Sequence, residues 1–121
     1  VAYIKATDGS GLPTGSVLAT GTLATSSLTT SLAWYEITLG AGTSLTAGVK
    51  YALYLTAVDC ANASNCAKWG FDFTSPTYAN GNLLEYVDGS PWSNSVSYDV
   101  MFEEWGNPVI TGNAIYFGTE F

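Results

Sequence analysis

The chain has 121 residues, enough for one domain, with 47% hydrophobic and 11% charged side chains and a net charge of −7. Lys5, Lys50 and Lys68 are its only basic residues, with Arg and His absent; this excludes nucleic-acid binding by phosphate neutralisation and electrostatic docking on anionic lipid. So few charges also argue against a disordered chain, and no apolar run approaches the ~18 residues of a membrane span.

Short runs of alternating apolar residues, broken by Gly, Ser, Asn, Asp and Pro, recur along the chain, the pattern of an antiparallel sandwich or barrel. Val1–Ala6 reads as the first strand. It is entered directly, with no basic start, apolar leader or initiator Met, which points to a processed chain or a fragment of a longer protein. Asp8-Gly9-Ser10-Gly11-Leu12-Pro13-Thr14-Gly15 follows as a turn-rich loop. Its Asp8-Gly9-Ser10-Gly11 start has the oxygen groups of a calcium loop but lacks the further acids, and an Asp-Gly turn accounts for it more simply. The same holds for Asp88-Gly89-Ser90. No metal site and no cofactor are expected, although a single structural calcium in a loop stays open.

Ser16–Leu23 reads as the second strand and Thr22–Ser31 as a Ser/Thr-rich connection. Leu32–Leu39 is expected as the third strand, with Trp34, Glu36 and Thr38 on one face and Tyr35, Ile37 and Leu39 on the other. Val49–Val58 is the fourth, Tyr51, Leu53 and Leu55 alternating with Ala52, Tyr54 and Thr56. Ala67–Phe73, Leu83–Val87, Tyr98–Trp105 and Val109–Phe117 complete a set of about eight strands. The expected fold is all-β: one domain over residues 1–121, an antiparallel β-sandwich in jelly-roll or related Greek-key order.

Cys60 and Cys66 make a poor metal site in a chain without His, and their spacing misses the redox Cys-x-x-Cys pattern. A local disulfide is the better reading, stabilising by on the order of 2 kcal/mol in the chain-entropy model and implying an oxidising compartment. Two unpaired thiols are the alternative. Asn62-Ala63-Ser64, inside this loop, fits the glycosylation triplet at Asn62, a short pattern that also arises by chance.

Two longer patterns occur together. One is Ile4-Lys5-Ala6-Thr7-Asp8-Gly9-Ser10-Gly11-Leu12-Pro13-Thr14-Gly15-Ser16-Val17-Leu18-Ala19. The other is Trp34-Tyr35-Glu36-Ile37-Thr38-Leu39 followed by Leu45-Thr46-Ala47-Gly48-Val49-Lys50-Tyr51-Ala52-Leu53, with Tyr98-Asp99-Val100-Met101-Phe102-Glu103-Glu104-Trp105-Gly106 as a closing strand. From Val1 to Gly106 the chain resembles a broad family of uncharacterised β-sandwich modules of bacterial, archaeal and phage surface proteins, often present as tandem copies. The resemblance implies a jelly-roll-like sandwich on a cell or virion surface, and carries no established activity. Family members usually have strand sequence before the segment matching Val1–Ala6. This chain has instead a tail, residues 107–121, in which Val109, Thr111, Ile115 and Phe117 are expected to form a complementing strand, within the chain or inserted into a neighbouring copy.

Catalysis is not expected. Without His, neither Ser–His–Asp nor Cys–His machinery can be built. Glu103 and Glu104 fall on opposite faces of a strand, and Asp99 and Glu103, on one face, read as a solvated sheet surface. The expected function is therefore a non-catalytic extracellular structural module: a subunit or repeat of a filament, surface protein or viral fibre, partnered by its own copies or tandem domains. The alternative is a carbohydrate-binding module. Sugars dock on aromatic faces, and Trp92, in the turn-rich Asp88–Asn94 segment, is the leading candidate, joined by Tyr78, Trp69 and Tyr86 if their loops converge. Trp34, Tyr35, Tyr51, Phe71, Phe102 and Trp105 are expected mostly in core packing.

Overall fold

The computed structural model of the chain describes residues 1–57, 66–74, 78, 83–86, 90–95 and 98–106. Within them the regular structure is strand, apart from one 3-10 turn at Thr25–Ser27. The chain is thus all-β, as the period-2 patterning predicts. No helix among the described residues is long and apolar enough to cross a membrane.

The largest unit is a three-stranded antiparallel sheet. Its strands are β1 (Ala2–Thr7), β2 (Pro13–Gly21) and β3 (Tyr51–Leu55), in the order β2-β1-β3. β1 is the central strand because it finds two partners. It pairs with β3 without interruption from Ala2↔Leu55 to Ala6↔Tyr51. Beyond the strand ends, the Val1 ammonium donates to the Thr56 carbonyl at 2.7 Å and Thr56 N–H donates back to the Val1 carbonyl at 2.8 Å. Pairing with β2 runs in register from Ala2↔Gly21 to Ile4↔Ala19 and then shifts on either side of Lys5. Gly15, in the inserted stretch, has φ +67°, a left-handed conformation that glycine adopts without strain. The preceding turn is closed by Asp8, whose Oδ1 accepts from Ser10 N–H at 2.8 Å and Leu12 N–H at 3.0 Å. The carboxylate caps its own turn, as Asp before Gly commonly does.

Two small antiparallel ladders follow. β4 (Phe71–Asp72) pairs with β7 (Asp99–Val100), and β5 (Leu83–Glu85) pairs with β6 (Ser93–Ser95). β4 and β7 are much shorter than the expected Ala67–Phe73 and Tyr98–Trp105. β6 lies in a segment expected to be turn alone. Val109–Phe117 lies outside the described residues.

Leu32–Leu39 joins no ladder among the described residues, contrary to expectation. Its C-terminal part packs against the end of β2 instead. A Cβ built on Gly21 would collide with the Thr38 carbonyl oxygen and lie 2.8 Å from Ile37 Cγ2, so residues 37 and 38 sit directly on the end of β2. Alternation made this segment look like a strand, but only its Ile37–Thr38 end packs on the sheet, while Leu32 and Trp34 stay exposed. Tyr35 anchors its start, its hydroxyl accepting from Thr29 N–H at 2.9 Å.

Opposed residues of an antiparallel pair share a face. Ala2, Ile4, Ala19 and Leu53 therefore lie on the face that Ile37 covers, while Tyr3, Ala52 and Tyr54 lie on the other. Among the described residues the buried hydrophobic side chains are Ala2, Ile4, Ala19 and Ala52, all in this sheet, and no large side chain is fully buried. Trp34, Phe71 and Trp105, expected in the core, are 59%, 49% and 85% exposed. Each lies in a two-residue ladder or beside none, so no broad sheet face closes over it.

Candidate functional site

The β5–β6 pairing sets Leu83 opposite Ser95 and Glu85 opposite Ser93. Carried one step further, the same register places Tyr86 opposite Trp92 at the base of the connecting loop. Their rings are 5.2 Å apart, tilted by 47°. Trp92 also meets Tyr54 of β3 edge-on at 6.0 Å. Tyr54 in turn stacks on Tyr3 of β1 at 4.9 Å and 16°, as residues paired across the ladder can. Four rings thus run from the central strand of the sheet to the hairpin. Tyr3, Tyr54 and Trp92 are half-buried and Tyr86 is exposed.

Burial raises the pKa of the Tyr54 phenol above its ordinary value, and the neighbouring Tyr3 phenol adds to the shift. The row offers aromatic faces and phenol hydroxyls. That chemistry suits stacking against apolar faces of a ligand, and equally suits holding the hairpin on the sheet.

Of the four expected aromatics, Trp92 and Tyr86 come together here. The other two engage the segment around β7. Trp69 Nε1–H donates to the Met101 carbonyl at 2.6 Å. Tyr78 N–H donates to Asp99 Oδ2 at 2.8 Å, and its ring meets Phe102 edge-on at 6.2 Å. Their placement is fixed by a carbonyl and a carboxylate 32 and 21 residues along the chain, partners that a sequence does not reveal. Tyr3 and Tyr54 were not anticipated in the site. Their alternation with Ile4 and Leu53 puts both on one face, but the register that makes them neighbours had no sequence signal.

Asp99 stands directly opposite Asp72 across the β4–β7 ladder. Asp72 Oδ1 accepts from Thr74 N–H and Thr74 Oγ1, each at 2.8 Å. The two carboxylates thus order the chain beyond β4, at residues 74 and 78. Among the described residues no group of three or more His, Cys, Asp or Glu side chains is placed to hold a metal ion. Cys66 is half-buried; Cys60, Asn62, Val109, Thr111, Ile115 and Phe117 lie outside the described residues.

A separate apolar cleft of about 150 Å³ is lined by Leu32, Ala33, Trp34, Gly70 and Met101. Residues 32–34 form one wall. The other is fixed where Met101 N–H donates to the Gly70 carbonyl at 2.9 Å. Comparison of the chain with protein-family models, with curated proteins and with solved structures finds no match.

Proposed function

We propose that the chain is a non-catalytic structural module of an extracellular assembly: a subunit or repeat of a surface filament, surface protein or viral fibre. Its ladders belong, in this reading, to a β-sandwich of jelly-roll or related Greek-key order, with Cys60 and Cys66 bridged in an oxidising compartment. The observation that carries the reading is the imbalance of burial. Among the described residues, four small or medium aliphatic side chains are buried, while Leu32, Phe73 and Trp105 are 78%, 67% and 85% exposed. Apolar area of this extent favours coverage by further protein, from tandem domains or copies of the chain. Sedimentation velocity and electron microscopy across a concentration series test it. Association into defined oligomers or fibres is expected, and a monomer at every concentration overturns it.

The Tyr86–Trp92 pair favours a second reading, carbohydrate binding by stacking on the hairpin rings. Isothermal titration against a glycan panel, beside Trp92→Ala, tests that reading. Heat lost in the variant supports it, and no heat from the wild type with any glycan ends it.

A further inference from the structure

Two of the three cations of this chain share a sheet face with the aromatic row. Tyr3 and Lys5 lie two residues apart in β1 and therefore on one side of it. The β1–β3 register sets Tyr54 opposite Tyr3 and Ala52 opposite Lys5. Lys5 and Tyr54 are thus diagonal neighbours, about 7–8 Å apart and within reach of a long side chain. One residue beyond the ladder, the Thr7 hydroxyl donates to the Lys50 carbonyl at 3.1 Å, so Lys50 continues the register. Alternation then places Lys50 on the side of Ala52 and Tyr54. Lys5 is half-buried and Lys50 exposed. Among the described residues neither ammonium takes part in an ion pair or hydrogen bond.

The charge around them is uniform in sign. No Asp or Glu occurs in β1, β2 or β3, so the acids that give the chain its net charge of −7 lie outside this sheet. At physiological salt their influence is screened beyond about 8 Å. Two neighbouring ammonium groups without a counter-ion repel each other, and an anion held between them relieves that repulsion. The aromatic row stands beside them. Two residues of extended strand advance about 7 Å, so Lys5 and Lys50 follow Tyr54 at one and two such steps. A ligand that meets both features carries uncharged rings at one end and an anion at the other.

We propose that this face binds an oligosaccharide bearing an acidic sugar, its neutral rings against Trp92 and Tyr86 and its carboxylate at Lys5 and Lys50. Two cations match one carboxylate, and a long polyanion would find no further partners on the sheet. The inference rests on the carbohydrate reading of the aromatic row and names the class of glycan that row takes.

Isothermal titration of the full chain tests it, with sialyllactose and a glucuronic acid-substituted xylotriose as probes, each beside its methyl ester. The esters keep every ring and lose only the charge. At least one acid is expected to bind about tenfold more tightly than its ester. Lys5→Gln and Lys50→Gln are each expected to weaken that acid about threefold and to leave the ester unchanged. Lys68→Gln removes the same charge outside the sheet and is expected to change neither. Trp92→Ala weakens acid and ester alike. Circular dichroism confirms that the variants fold. An ester that binds as tightly as its acid overturns the choice of an acidic glycan and spares the carbohydrate reading. Equal losses in Lys68→Gln and the two sheet variants overturn the placement of the anion. No heat from either acid overturns the inference. Heat from a neutral glycan in that case keeps the carbohydrate reading, and no heat from any glycan ends both.

Discussion

The described residues before 58 and those after 65 both contain β-ladders, yet these are held by different means. The first region has strands of six, nine and five residues, bonded along their length and packed over Ala2, Ile4 and Ala19. The second has ladders of two or three residues, and its described side chains meet mainly ring to ring, as Phe71 does with Phe73 at 6.0 Å and with Tyr98 at 5.6 Å. A long ladder satisfies its backbone groups cooperatively and lets small side chains close the core. Short ladders depend on individual aromatic edges and on side chains such as Asp72, Asp99 and Trp69 that capture stray backbone groups. The candidate site and the cleft both lie where the two regions meet, Tyr3 and Tyr54 running on to Trp92 and Tyr86, and Leu32, Ala33 and Trp34 facing Gly70 and Met101.

Four substitutions probe that contrast. Gly21→Ala breaks the first region where it is tightest, since the new Cβ meets the Thr38 backbone, which cannot rotate away. A loss of about 3 kcal/mol is expected in urea unfolding. Trp92→Ala cuts the link between the regions by removing ring contacts to both Tyr54 and Tyr86. Because Trp92 is half-buried, its loss is expected to cost about 2 kcal/mol, less than for a fully buried Trp, and to speed hydrogen exchange in β5 and β6 before β1.

The alkaline limb of stability is the third test. The folded-state pKa of Tyr54 is raised by burial first and by Tyr3 second. Its contribution is fully present below the unfolded value near pH 10 and is lost as pH rises through the higher folded value. Tyr54→Phe should flatten the fall in Tm above about pH 10 and leave its slope near neutrality unchanged. The smallest effect is expected in the second region. Asp99→Asn keeps an oxygen to accept from Tyr78 N–H while removing a like charge opposite Asp72. A gain of about 0.5 kcal/mol is expected from thermal melts at neutral pH.

Legibility in the sequence follows the same division. β3 falls within the expected Val49–Val58 and β1 matches the expected Val1–Ala6 with a shift of one residue at each end, because alternation over five or six residues in a two-sided sheet leaves a clear period. β2 begins at Pro13, inside the expected loop, since a bulge with a left-handed Gly15 lets the strand start through turn-type residues. Ser93–Ser95 had no apolar signal, because a three-residue strand can be held by its partner alone. Trp92 and Tyr86 could be singled out by flanking a turn-rich loop. Trp69 and Tyr78 could not be assigned to the segment around β7, because their anchors are a carbonyl and a carboxylate far along the chain.

Composition alone fixed the net charge of −7 with three Lys as the only basic side chains, and local alternation alone pointed to strands, because both properties are sums over near neighbours. Tertiary structure decided which strands pair, that residues 37 and 38 pack on the end of β2 instead of extending the sheet, and that Tyr3, Tyr54, Trp92 and Tyr86 form one row. Those outcomes depend on backbone partners distant in the chain, and the same alternating pattern is compatible with several such pairings until packing selects one.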